Sequence, residues 1–154
     1  MTLIKWYSEL YNLKLIKMEL LNFEEYNLYP GRFQPPHKGH MTIFNESLDK
    51  GEKVCIAIRN IQPDEKNPLS AEQVKKLWEK VYEENNNVKV IIIPNIKSVK
   101  YGRTVGFSVD EIKPSADICS ISATQIRSFI KSGSDEWRIM VNEKIHEDII
   151  ELLK

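Results

Sequence analysis

The sequence predicts an α/β fold built on a parallel sheet, and three observations predict it. Short runs of strand length recur at Glu25–Tyr29, Val54–Ile58 and Val88–Ile93, the second fit for a buried parallel strand and the last β-branched and continuous. Between them, apolar residues recur at helical spacing. Cap and turn residues punctuate each change of period. Strands alternating with helices imply right-handed crossovers, and a site at the carboxyl ends of the strands.

The elements follow in order. In residues 1–22, Leu3, Ile4, Trp6, Tyr7, Leu10 and Tyr11 form a helix-period stripe ahead of the first strand. This N-terminal extension has three readings: a helix packed on the domain, a surface for a homo-oligomer, or a disordered extension with Met18 as an alternative start. Residues 23–154 make a single domain. After Glu25–Tyr29 the chain turns through Gly31–Pro36 into a helix whose later part, Met41–Lys50, turns Phe44 and Leu48 inward and stops at Gly51. Val54–Ile58 is a buried strand, and Arg59–Pro68 a polar loop. Ser70 caps a helix to about Glu84 with Val74, Leu77, Trp78 and Val81 on its core face. Val88–Ile93 ends at Pro94. Short strands are expected at Lys97–Tyr101 and Phe107–Ile112, then a helix from Ser122 to Gly133. One or two closing helices span Trp137–Lys154, with Ile145, Ile149, Leu152 and Leu153 inward.

Composition narrows the function classes. With 22 basic and 22 acidic side chains the formal net charge is zero, so no general electrostatic grip on nucleic acid or anionic membrane is expected, and any anion site is local. The longest apolar run, Val90–Pro94, is far short of a membrane span. Lys5, Glu9, Lys14, Lys17 and Glu19 break up any signal peptide. Cys55 and Cys119 fit neither a zinc pattern nor a disulfide framework and read as reduced thiols of a cytoplasmic protein. Repeats, a P-loop and a G-x-G-x-x-G turn are absent from the sequence.

The run Gly31-Arg32-Phe33-Gln34-Pro35-Pro36-His37-Lys38-Gly39-His40 carries the chemistry. His37 and His40, three apart, fall on one face of the first helical turn, where free backbone N–H groups already favour an anion. Two imidazoles there can hold a phosphoryl oxygen as negative charge develops, while Gly39 leaves room for a ribose or base against the helix. Farther on, Ile121-Ser122-Ala123-Thr124-Gln125-Ile126-Arg127 is a capping box, Ser122 with Gln125, whose helix start offers N–H groups to phosphate beside the guanidinium fork of Arg127.

These two segments resemble the signatures of the HxGH nucleotidylyltransferases, and the wording of the first is similar to that of archaeal-type nicotinamide mononucleotide adenylyltransferases. The resemblance implies a Rossmann-like, doubly wound parallel sheet. It also implies transfer of a nucleoside monophosphate, AMP from ATP, to a small phosphorylated acceptor with release of pyrophosphate. His37, His40 and Arg127 then act on the transferring group. Gly31, Arg32, Phe33, Lys38, Gly39, Ser122, Thr124 and Arg127 bind nucleotide. Mg2+ enters chiefly through the nucleotide's own oxygens, with no protein metal site. Such transfer needs no activated nucleophile, because the acceptor phosphate is already anionic.

Acceptor recognition follows the pattern less closely. Asn67-Pro68-Leu69-Ser70 is similar to the N-P-F-T segment of those enzymes, but Val74 stands where an arginine is expected. The stretch after the third strand is short and has no tryptophan before Trp137. Arg103 and Arg59 are the candidate acceptor contacts. Three classes therefore stay open: adenylyl transfer to nicotinamide mononucleotide; transfer with another pair, such as CTP with polyol phosphate or phosphocholine, or ATP with phosphopantetheine; and a nucleotide-binding module without turnover.

Overall fold

The computed structural model describes residues 2–103 and 106–154, with side chains throughout except those of 17–22. Three parallel strands, β1 (Asn27–Gly31), β2 (Val54–Asn60) and β3 (Val88–Pro94), form one sheet in the order β1-β2-β3. Tyr29 lies beside Ile56, and Ile56 beside Val90. β2 is central, and Val54 to Ile58 are all buried, as the continuous apolar run requires. β1 starts two residues later than expected. Glu24 and Tyr26 are instead drawn outward, Glu24 to Lys53 at 2.9 Å and Tyr26 to Glu24 at 3.0 Å. Pro30, which cannot donate to a ladder, is tolerated because β1 is an edge strand.

The crossovers are α2 (Lys38–Leu48) and α3 (Ala71–Val81). Two right-handed crossovers in the same direction put both helices on one face of the sheet. Phe44 of α2 and Trp78 of α3 accordingly meet edge-on at 5.2 Å, both buried. α3 starts at a complete capping box, Ser70 with Gln73, and buries Ala71, Val74, Leu77, Trp78 and Val81. α2 ends at Leu48, two residues before the expected Lys50, because Lys50 and Gly51 donate three back, to Ser47 and Leu48, tightening the last turn.

The short α4 (Ala116–Cys119) leads into α5 (Ala123–Ser132). α5 closes at Gly133, whose φ of +77° lets Ser134 N–H reach back to the Phe129 carbonyl. The closing segment is more broken than its apolar pattern suggests. Two 3₁₀ turns, Glu136–Met140 and Glu143–Ile145, precede α6 (His146–Leu153). Asn142 caps the second of them by accepting from Lys144 N–H, and such local bonding competes with a continuous helix. Ile145 and Ile149 are fully buried, with Leu152 and Leu153 at the margin of the same core.

The two short strands expected at Lys97–Tyr101 and Phe107–Ile112 do not form. The alternation of Phe107 and Val109 breaks at Glu111, so the segment lacks the sustained period of a strand. Asp110 and Ile112 nonetheless line one recess together with Leu28 to Gly31 of β1.

The first element, α1 (Leu3–Asn22), is helical. Leu3, Ile4, Trp6, Tyr7, Leu10 and Tyr11 are all exposed, so the stripe does not pack on the domain. Leu13, Leu15 and Ile16 are exposed as well.

Candidate active site

The site starts where β1 ends. A Cβ on Gly31 would sit 2.6 to 3.0 Å from the ring of Phe33, so only glycine lets that ring fold back over the strand end. Phe33 has φ +53°, a left-handed conformation uncommon outside glycine. Packing holds it there: its buried ring meets His40 at 4.9 Å, Trp78 at 5.5 Å and Phe44 at 6.0 Å, each edge-on. The next residue anchors the loop. Gln34 is buried, its Nε2 donates to the Leu69 carbonyl at 2.9 Å, and its Oε1 accepts from Leu69 N–H at 2.9 Å.

His37 and His40 begin α2 by capping each other. His37 is the N-cap and His40 the third residue inside; His40 N–H donates to His37 Nδ1 at 3.4 Å, and His37 N–H donates to His40 Nδ1 at 3.2 Å. This is the reciprocal geometry of a Ser/Glu capping box, built here from two imidazoles. The rings stack, centroids 3.6 Å apart and 20° from parallel. Gly39 has a role the spacing does not disclose, because a Cβ there would come within 2.8 Å of the His37 ring. Its lack of a side chain makes room first for the imidazole.

The cap fixes the protons. Because each Nδ1 accepts a backbone N–H, each neutral ring carries its proton on Nε2, leaving two donors beside the helix start. Burial holds the His37 imidazole down to about 4, and burial followed by the neighbouring His37 holds His40 well below its ordinary value. Both rings are therefore neutral donors at pH 7.

Acid sensitivity follows from those depressed values. In the unfolded chain both rings take up protons near 6.5, while the folded chain refuses them until far lower pH. The stabilisation is complete above about 6.5 and is lost as pH falls toward 4, at ~1.4 kcal/mol per pH unit for each histidine. For His37 alone the loss reaches on the order of 3 kcal/mol by pH 4. Urea unfolding at pH 7 and pH 4.5 should show it, and His37→Asn, which caps without titrating, should flatten the profile. Equal slopes for the two proteins would contradict the assignment.

α5 brings the second motif to the first. Ser122 caps it, accepting from Gln125 N–H at 3.1 Å. The expected capping box is only half made: Gln125 Oε1 does not return the bond and is buried without a partner. Arg127 donates through Nη1 to the Gln34 carbonyl at 2.6 Å and through Nη2 to Thr124 Oγ1 at 3.5 Å. Burial, and then the positive charge of Arg32, lower its pKa. Two guanidiniums held together in this way make a strong local anion field.

Arg32, Gln34, His40, Lys66, Thr124 and Arg127 line a cleft of ≈ 490 Å³ that holds three cations and no carboxylate. Lys66 escaped the sequence reading. The Asp64 turn places it, the Asp64 carboxylate accepting from Lys66 N–H, Asn67 N–H and Asn67 Nδ2 at 2.7 to 3.0 Å. An Asp three residues before Asn-Pro is the signal that could have found it. A second cleft of ≈ 390 Å³ shares Arg32, Phe33 and His40 with the first and adds Tyr29, Phe44 and Asp110. His40 thus sits between a cationic and a mostly apolar recess, with the buried His37, which lines neither, stacked on it.

Not every expected residue converges. Lys38 is exposed, and neither it nor the exposed Ser122 lines either cleft. Arg103 is exposed and outside both clefts. Arg59 leaves β2 toward the loop after β3, donating to Asn95 Oδ1 at 2.9 and 3.2 Å and to the Ile96 carbonyl at 3.1 Å, so its guanidinium is already engaged. Among the described residues, no group of three or more His, Cys, Asp or Glu is placed to hold a metal, and no helix is long and apolar enough to cross a membrane.

Comparison with known proteins agrees with this arrangement. The family described as cytidylyltransferase-like matches residues 28–143. A nicotinamide-nucleotide adenylyltransferase from Ignicoccus hospitalis is 30% identical over 81% of this chain and 91% of that protein. One from Pyrobaculum arsenaticum is 28% identical, over 81% of this chain and 87% of its own. A phosphopantetheine adenylyltransferase from Clostridium novyi is 37% identical across a shorter stretch, 40% of this chain and 38% of that protein.

Proposed function

This chain belongs to the cytidylyltransferase-like family of nucleotidylyltransferases, and on that premise we propose that it transfers AMP from ATP to nicotinamide mononucleotide, releasing pyrophosphate. The observation that carries the reading is His40, a neutral imidazole capped and stacked with His37, lining a cleft with three cations and no carboxylate. An oxygen of the acceptor phosphate attacks the α-phosphorus, the new P–O bond forms in line with the one that breaks, and pyrophosphate leaves with its electron pair. His37 and His40 donate to the non-bridging oxygens as charge spreads onto them. Arg127, Arg32 and Lys66 hold the β- and γ-phosphates. Nothing in this scheme requires a protein base.

Magnesium fits on the same terms. The cleft offers the Thr124 hydroxyl but no carboxylate, so the ion's oxygen ligands must come mainly from the triphosphate. When bound it neutralises charge on the leaving pyrophosphate.

For the acceptor, the aromatic recess of Tyr29, Phe33 and Phe44 with Asp110 at its rim suits a flat ring and a hydroxylated sugar. Names of the relatives support nicotinamide mononucleotide, and Gly-Arg-Phe-Gln-Pro differs from the G-T-F-D wording usual in cytidylyl enzymes. The shorter match to a phosphopantetheine enzyme keeps that acceptor as the second reading. Pyrophosphate release with ATP or CTP against nicotinamide mononucleotide, phosphopantetheine, phosphocholine and a polyol phosphate separates the readings. Release with ATP and nicotinamide mononucleotide alone is expected. Release only with another pair replaces the acceptor assignment, and none with any pair removes the transfer reading.

A further inference from the structure

Gln34 belongs to the motif, yet neither its sequence position nor the transfer scheme gives its side chain a task. Its amide is buried, and both ends are committed to one backbone unit, Leu69, just before α3. Its carbonyl receives the short bond from Arg127 Nη1, 2.6 Å. The residue before it is Phe33, whose ring at φ +53° backs His40. One residue therefore joins three elements: the loop after β1, the start of α3, and the guanidinium on α5.

We propose that Gln34 is a positioning residue that aims Arg127 into the phosphate cleft by clipping its own amide to Leu69. The inference rests on the assignment of Arg127 to the triphosphate. A glutamine suits the task because a primary amide offers one donor and one acceptor at the spacing of a peptide unit's C=O and N–H. With both bonds made, the amide tethers the loop at Gln34 to Leu69 and favours one direction of its carbonyl, toward Arg127 on α5. Without them, the Gln34 carbonyl is free to turn and Arg127 loses a fixed partner while keeping its charge. Arg32 and Lys66 line the same cleft, so a misdirected Arg127 also lies beside other positive groups that repel it.

Isothermal calorimetry with ATP and with AMP, on the full chain and variants, tests this. Gln34→Met keeps length and volume but makes neither bond; Gln34→Asn keeps the chemistry but is one methylene too short to reach Leu69. In both, ATP affinity should fall by on the order of tenfold, with AMP affinity changing much less. In an Arg127→Ala background neither substitution should alter the ATP-to-AMP ratio further, since the group they misplace is gone. A plainly structural Gln34 would instead lower the melting temperature and leave the ratio at the wild-type value, which overturns the proposal; so would full additivity with Arg127→Ala. Wild-type protein that fails to prefer ATP over AMP overturns this inference and the Arg127 assignment together. Normal ATP binding without pyrophosphate from any acceptor defeats only the transfer reading.

Discussion

Replacing His40 with alanine should lower the rate of pyrophosphate release by on the order of a hundredfold or more, the scale for losing one transition-state donor. The same change removes the acceptor for His37 N–H and a stacked ring, so about 1 kcal/mol of stability should go with it. His40→Gln separates the two effects. Glutamine is a normal residue at the third position of a capping box and can restore the helix start, but its amide does not place a donor where Nε2 stood. Stability recovered without turnover is the expected result. His37→Ala should match His40→Ala in rate, and the double variant should cost little more than either, because the two rings hold each other. Unchanged release from the double variant would remove the histidines from the mechanism.

The second large effect is expected at Arg127. Arg127→Ala should weaken ATP binding by roughly ten- to a hundredfold, the value of a charge-assisted hydrogen bond to phosphate, while AMP binding weakens far less. Lysine should recover little. A guanidinium can bond the Gln34 carbonyl with one nitrogen and phosphate with the others, whereas an ammonium on a flexible stem must choose between them. Calorimetry with both nucleotides decides it, and equal losses for ATP and AMP would make Arg127 a structural residue.

Much of this site was legible in the chain because its parts are local. The run from Gly31 to His40 fixes a strand end, a turn and a helix start within ten residues, and local geometry then dictates where both imidazoles point. Ser122 to Arg127 is local in the same way. β2 was readable because a strand buried on both faces is continuously apolar, β3 because its β-branched run Val90–Ile93 stops at Pro94, and α3 because Ser70 and Gln73 announce its first turn. What stayed hidden depends on residues far apart. The Gln34 clip to Leu69 joins positions 35 apart and the Arg127 bond to Gln34 joins positions 93 apart. Lys66 enters the cleft only because its turn lies opposite α5. Arg59 looked available because nothing near it in sequence reveals that Asn95 will take its guanidinium. The segment after β3 carries strand-like residues, but their alternation breaks at Glu111.

The mutual cap of His37 and His40 also bears on metal poisoning. Two histidines three apart on a helix ordinarily make a fair chelate for zinc or nickel, yet here both Nδ1 lone pairs are occupied by backbone N–H groups and both Nε2 atoms carry protons. For a transition metal to bind through Nε2, each ring must shift its proton to Nδ1, and the helix start then loses the acceptors that define it. The fold thus guards these two imidazoles against adventitious divalent metals at the same Nε2 atoms that the proposed transfer would use.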